Sequence, residues 1–458
     1  MNHYGKHFIA IIGGSVAGSE AAYLLAEGGY RAIVFDQKAL PYGKIEDGLP
    51  LWHIGLRNKE EAAIDKRLSH ENIRFVPGFT LGKDARIEEL IDDWGFSAVI
   101  IAIGAWHDRK IDINDIEKYY NKGIVKQNAL VYWFNHKHEP GYTGPKYKIV
   151  NNTAVVGGGL ASLDMVKIAM IELVKEGLLR KGIEVDVFTL EKKGIAKILD
   201  QYNTSLELLG VEPCTLFYRR DAEEMPLYPR KDNSPESIAQ ARRVSKKLLD
   251  NYLAKYQFNF EPRSIPKAII EENGQFKGMT FQRVDLKDGK LVNREGDTFN
   301  FYTDLLVSSI GSLPKATPSL PIAGNMLKTH GDFGCKVEGF NNVFAVGNVV
   351  TGRGNILESR KHGRMITDRI IEEHLEPMVT SDPMAEKYKE LFQDIEGDVD
   401  KKIDKIEDTL SHLPIHSDDE INFILTKTKE LQERAGYDGN YQKWVDQHRP
   451  ERLENSQK

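Results

Sequence analysis

The chain has 458 residues, too long for one ordinary hydrophobic core, and a composition of 41% hydrophobic and 28% charged residues fits a globular protein of at least two domains. Apolar runs such as Ala98–Ala102 fall far below the roughly 20 residues that cross a bilayer, so no membrane span is expected, and a net charge of −6 argues against a nucleic-acid binder. Two cysteines, Cys214 and Cys335, form neither a CxxC pair nor part of a metal-ligand cluster, which excludes a resident iron–sulfur site or dithiol relay, leaves no metal site expected, and points to a reducing cytoplasm.

The start, "HFIAIIGGSVAGSEAAYLLAEGGYRAIVFDQ", opens with a five-residue apolar stretch, too short for the core of a secretory signal. It is one βαβ unit: a strand over Phe8 to Ile12, a helix from about Val16 to Glu27 ended by Gly28 and Gly29, and a strand over Ala32 to Phe35 ending in Asp36. Gly13, Ser15 and Gly18 fill the positions of a G-x-G-x-x-G turn, with serine replacing the middle glycine. Such a turn lets a pyrophosphate approach backbone N–H groups at the positive end of the helix, here at Val16 and Ala17. Asp36 lies 23 positions after Gly13, where a carboxylate accepts the hydroxyls of an adenosine ribose.

A second unit begins at "NNTAVVGGGLASLDMVKIAMIELVKEG". Thr153 to Val156 is a short strand, Gly157, Gly159 and Ser162 fill the turn, and a long helix follows from Leu160. Two such turns imply two dinucleotides, as in a flavin reductase that takes hydride from a nicotinamide. Two segments compete for the next strand. If it is "IEVDVFTLEKKG", Glu191 is the ribose acid of an NAD site. If it is "VEPCTLFY", the strand leads into Arg219 and Arg220, which would grip the 2′-phosphate of NADPH, and roughly residues 176 to 212 are an insertion.

Several segments in order resemble the adrenodoxin-reductase-type ferredoxin–NADP reductases and the small subunit of glutamate synthase. "PYGKIEDGLPLWHIGLRN" is similar to the proline-glycine segment of the reductases and supplies Gly43 and His53. "VPGFTLGKDARIEELIDDWGFSAVIIAIGAW" resembles the end of their first flavin segment, with Phe79 and Gly104. "VKQNALVYWFNHKHEP" resembles the segment that joins the two domains. "LFYRRDAEEMP" is close to the glutamate-synthase pattern in which two arginines bind the 2′-phosphate, and adds Glu224 as a ribose contact. "NVFAVGNVVTGRGNI" resembles the closing flavin motif, with Gly347, Asn348, Asn355 and Ile356.

The resemblance covers roughly residues 8 to 375 and implies an α/β fold of two Rossmann-like dinucleotide-binding domains. FAD would lie in a domain built from residues 1–112 and 305–375, NADPH in the inserted domain 113–304, and residues 376–458 would form a charged helical C-terminal extension. In that extension two helices and an extended finish anchored by Tyr441 and Trp444 are expected, clamping the domains or docking a partner. Hydride would pass from NADPH to FAD, with His53 as the one candidate proton donor. Electrons would then go to a ferredoxin or iron–sulfur partner protein, steered by Arg242, Arg243, Lys246 and Lys247 on one helix face. The alternatives are an NADPH dehydrogenase reducing a quinone or other small acceptor, and a flavin-bearing subunit of a larger complex. Two departures stand out: Asn348 replaces the usual aspartate, and Glu46 and Asp47 replace an arginine and an aromatic residue.

Overall fold

The computed structural model describes residues 6–455 except 229, 231, 319, 324–325, 331–334 and 352–382. Its largest sheet has seven strands in the order 329–330, 336–337, 343–345, 98–101, 8–12, 31–36, 73–77. Strand Phe8–Ile12 pairs in parallel with Arg31–Asp36 on one side and Ala98–Ile101 on the other. All five of its residues are buried. The alternation of a strand explains why: Ile9 and Ile11 enter the core under helices Val16–Glu27 and Ile54–Leu68, while Phe8, Ala10 and Ile12 enter the core on the opposite face.

The second sheet has five parallel strands in the order 124–126, 306–309, 154–157, 215–217, 259–261. Strand Leu306–Ser309 sits between Ile124–Lys126 and Ala154–Gly157, so the expected return to the first domain at residue 305 falls too early. Its four residues are buried on both faces, which a central position satisfies. The chain crosses back just after it, at Gly311 (φ +96°), where Ser312–Leu313 pairs antiparallel with the outgoing His107–Asp108. The paired crossover is therefore present, displaced by a few residues.

The competition for the second strand is resolved by local chemistry. Helix Leu160–Arg180 is followed by two short helices, Val187–Lys193 and Ile195–Gln201, and the strand is Thr215–Phe217. Asp186 caps the first short helix by accepting from the N–H groups of Phe188 and Thr189, both at 2.9 Å. An antiparallel sheet of strands Ser264–Glu272, Gln275–Lys287 and Lys290–Tyr302 covers one face of the second sheet. There Phe281 stacks on Phe217 with centroids 3.9 Å apart.

Helices Pro383–Ser411 and Asp418–Ala435 pack on the first sheet's layers, against helix Val16–Glu27 and strand Ile73–Pro77 respectively. The finish expected to be extended contains a helix, Tyr441–His448, started by Asn440, whose side chain accepts from Lys443 N at 3.0 Å. Tyr441 and Trp444 are buried in it as expected: Tyr441 donates to Asp65 at 3.0 Å and Trp444 to the Ala39 carbonyl at 2.7 Å. No helix among the described residues is long and apolar enough to cross a membrane.

Candidate functional site

A cavity of about 280 Å³ opens where the first strand meets its helix, and its lining includes Gly13, Ser15, Asp36, Gly43, Phe79 and Trp106. Gly13 turns the chain at φ +102°, and a Cβ there would stand 2.6 Å from the Ala102 carbonyl oxygen. A Cβ on Gly18 would stand 1.7 Å from the Gly13 carbonyl oxygen, so both positions require glycine for close packing. Val16, Ala17 and Gly18 begin the helix whose free N–H groups face the turn. Asp36 accepts from Gly14 N and Lys38 N, each at 2.9 Å, which fixes the acid beside the turn. Burial pushes its carboxyl up to about 6 despite these two donors.

The distant segments converge on the same place. Gly43 lies beside Ser15, and Ser15 Oγ donates to the Tyr42 carbonyl at 2.9 Å. Gly104 (φ +64°) turns the chain toward Trp106, whose ring has Lys38 Nζ and Lys44 Nζ each 5.6 Å from its centroid. Burial pushes the Lys44 ammonium down. Gly347 (φ +71°) brings Asn348 to the helix start, where a Cβ would stand 2.7 Å from the Ala17 side chain. Asn355 and Ile356 lie outside the described residues.

The two departures in the proline-glycine segment have partners. Asp47 pairs with Lys38 and with His136 Nε2 at 3.2 Å. Glu46 is bonded by Arg452, which also donates to Glu61 at 2.7 Å. Arg449 donates to Asp65 at 3.0 Å and to Tyr42 at 3.1 Å. The arginines that answer Glu46 and Tyr42 thus come from the C-terminal segment, some 400 residues away in sequence.

The second turn is built to the same plan. A Cβ on Gly157 would stand 2.3 Å from the Ser309 carbonyl oxygen, and one on Gly158 would strike the Tyr218 ring at 1.9 Å. Gly159 caps helix Leu160–Arg180, has open space at its Cβ position, and accepts from Ser162 Oγ at 2.5 Å. Arg219 and Arg220 follow the strand at this edge. Arg219 is exposed and has no ion pair among the described residues, while Arg220 lies 3.7 Å from Glu224 Oε1. Glu224 Oε2 is buried without a hydrogen-bond partner among the described residues.

His53 and Glu191 lie apart from the lining of the first cavity, in one buried polar cluster with Asp164 and Lys167. His53 Nε2 accepts from the Trp52 indole at 3.2 Å and faces Asp164 at 3.8 Å. Glu191 binds Lys167 Nζ at 2.7 Å, and that ammonium, fully buried, lies 4.5 Å above the Trp52 ring. A buried ammonium needs an ionic partner, so the Glu191 carboxylate serves Lys167 and is not at a strand end beside the turn. Sequence reasoning passed over Asp164 and Lys167 because they read as ordinary polar positions of an amphipathic helix.

Residues 7–193, a span holding both glycine turns, match the pyridine nucleotide-disulphide oxidoreductase family. The chain is 23% identical over 378 residues to the glutamate synthase [NADPH] small chain of Mycobacterium tuberculosis, covering 78% of this chain and 64% of the relative. It is 30% identical over 314 residues to the NADPH-Fe(3+) oxidoreductase subunit beta of Geobacter sulfurreducens, covering 67% of this chain and 37% of the relative. The chain therefore spans less than two thirds of the length of these relatives. The structure of Mycobacterium tuberculosis FprA in complex with NADPH superposes with a TM-score of 0.65 at 17% identity, over 94% of this chain and 91% of that one. This likeness is one of fold, and it extends through both sheets.

Proposed function

We propose that the chain is an NADPH-dependent flavoprotein reductase that holds FAD at the first turn and NADPH at the second. The observation that carries this reading is the contrast between the strand ends: a carboxylate, Asp36, at one turn, and two arginines at the other. A carboxylate fits ribose hydroxyls and repels a 2′-phosphate; paired guanidiniums do the reverse. The flavin, when bound, supplies a ring that accepts hydride and releases electrons one at a time. Gly13, Val16, Ala17 and Gly18 would approach its pyrophosphate, Asp36 its ribose, and Phe79 and Trp106 the apolar parts of the cavity. Gly347, Asn348 and, beyond the described residues, Asn355 and Ile356 would close the site. Gly157, Gly159, Leu160 and Ser162 would take the NADPH pyrophosphate, Arg219 and Arg220 its 2′-phosphate, and Glu224 its ribose.

The acceptor we infer is a ferredoxin or another iron–sulfur protein. The resemblance supports it, and Arg243 and Lys247 are exposed on helix Pro235–Tyr256 for an acidic partner. The test is anaerobic titration of the purified protein with NADPH and NADH side by side. Yellow protein bleached by NADPH is expected; protein that releases no flavin on denaturation would sink the reading. Replacing Arg219 and Arg220 together by alanine should raise the KM for NADPH about tenfold, a loss of about 1.4 kcal/mol, and leave that for NADH nearly unchanged. Equal losses with both nucleotides would make the arginines structural.

A further inference from the structure

We propose that Arg242 is a third cation of the 2′-phosphate clamp, held in place by Glu224, and so a determinant of nucleotide specificity. The inference rests on the NADPH reading above and extends its site to a helix that the strand-end motif does not include. Glu224 lies on a turn seven residues beyond Phe217, fixed because the Tyr218 hydroxyl donates to its backbone carbonyl at 3.0 Å. The same Tyr218 ring packs against Gly158 of the glycine turn. Turn, strand end and Glu224 therefore form one unit.

Helix Pro235–Tyr256 brings Arg242 to that unit. The helix is set by Ser234, which caps it, and by Ala241, Ser245 and Leu249, which are buried along its inner side. Arg242 is adjacent to Ala241, and its Nη2 lies 3.4 Å from Glu224 Oε1. Arg220 Nη1 reaches the same oxygen at 3.7 Å. Both contacts are long for charge-assisted hydrogen bonds, so one carboxylate gathers two guanidiniums without saturating either. The Glu224 side chain is only 10% exposed, and its other oxygen, Oε2, is buried with no hydrogen-bond partner among the described residues. That oxygen calls for a hydroxyl donor, as a ribose would bring.

Another guanidinium of this region, that of Arg263, is committed elsewhere. Arg263 makes two close bonds to Asp221, at 2.7 and 2.8 Å, and also faces Asp285. One turn further along the helix, Lys246 is paired with Asp250 at 2.8 Å. Among the described residues, Arg219, Arg220 and Arg242 are thus cations that this edge offers a phosphate. A dianion with three acceptor oxygens can bond all three, and would draw Arg220 and Arg242 from Glu224, leaving that carboxylate to the ribose.

The test measures binding to the flavin-loaded full chain by calorimetry, with adenosine 2′,5′-bisphosphate and adenosine 5′-monophosphate as probes. Arg242→Met should weaken the bisphosphate about fivefold, flatten its salt dependence, and leave the monophosphate unchanged. Lys246→Met, which alters the same helix face by the same charge, should match the parent. No change in Arg242→Met, an equal loss for both probes, or an equal effect of Lys246→Met would overturn the proposal. The Arg219→Ala, Arg220→Ala double variant separates the two readings: if it loses the bisphosphate selectively while Arg242→Met does not, only this inference fails. If it weakens both probes equally, the NADPH reading fails.

Discussion

The two glycine turns are near copies in backbone and opposites in charge. In each, a strand of four or five buried residues ends in glycines that lie too close to a neighbouring carbonyl to bear a side chain. What differs is the end of the next strand. Asp36 is half-buried, bonded to its own turn and raised by desolvation, whereas Arg219 is exposed and Arg220, also half-buried, carries the opposite charge. On the proposed reading the shared part would set where a pyrophosphate sits, and the part that differs would set which nucleotide is held there. The surroundings differ too, since the first turn is braced by the C-terminal segment and the second by an antiparallel sheet and helix Pro235–Tyr256.

The strongest way to break this comparison is to put a methyl group in each turn. Gly18→Ala would press a Cβ into the Gly13 carbonyl, and Gly157→Ala into that of Ser309. The first should yield protein without flavin; the second should keep the flavin and lose NADPH binding, with absorbance spectra and nucleotide titration as the readouts. Flavin loss from Gly157→Ala alone, with Gly18→Ala still yellow, would reverse the assignment of the two sites.

The C-terminal brace sharpens the contrast next. Arg452 is 11% exposed and serves two carboxylates, Glu46 and Glu61, of which burial pushes Glu61 up to about 7. Arg452→Met leaves Glu46 without this cation and Glu61 facing Arg57 at 3.8 Å, at a cost of about 3 kcal/mol in urea unfolding. Protonation relieves unpaired carboxylates, so the deficit should shrink as pH falls from about 8 to about 5. The added changes Glu46→Gln and Glu61→Gln should recover much of it. Binding at the second turn should be untouched, because the carboxylates that Arg452 bonds, Glu46 and Glu61, lie in the first half; a pH-independent deficit would mean that Arg452 acts by packing alone.

Much of this was legible in the sequence because it is local. Phe8–Ile12, Val16–Glu27 and Arg31–Asp36 follow from hydrophobic period and glycine stops, and both turns could be placed to the residue. The boundary near 305 was misjudged because an apolar run such as Leu306–Ser309 states that it is buried and not beside which strand. Glu191 looked like a ribose acid only while Lys167, 24 residues earlier, had no visible need of a partner. Glu46 and Asp47 looked like defects of the first site. Their partners, Arg452 and His136, lie on elements that periodicity cannot bring together.

His136 offers the finest probe, since it joins the first half's proline-glycine segment to the helix Gln127–His136 that leads into the second sheet. Burial alone would lower its imidazole, but hydrogen bonds to Asp47 and Glu139 carry it up to about 9. Asp47, against its own burial, is held below the ordinary carboxylate range by His136 and Lys38. A base whose folded pKa exceeds its unfolded value near 6.5 stabilises fully below that value and loses the contribution as pH rises through about 9. The acid's contribution is present above the ordinary carboxylate pKa and fades as pH falls through its lowered folded value. The thermal midpoint of the parent should therefore fall between about pH 7 and 10, while that of His136→Gln should change less over the same range. The two curves should meet at high pH, where the parent imidazole is neutral and Asp47 keeps only Lys38. Curves that stay parallel across the range would show that the two halves are joined here by shape and not by charge.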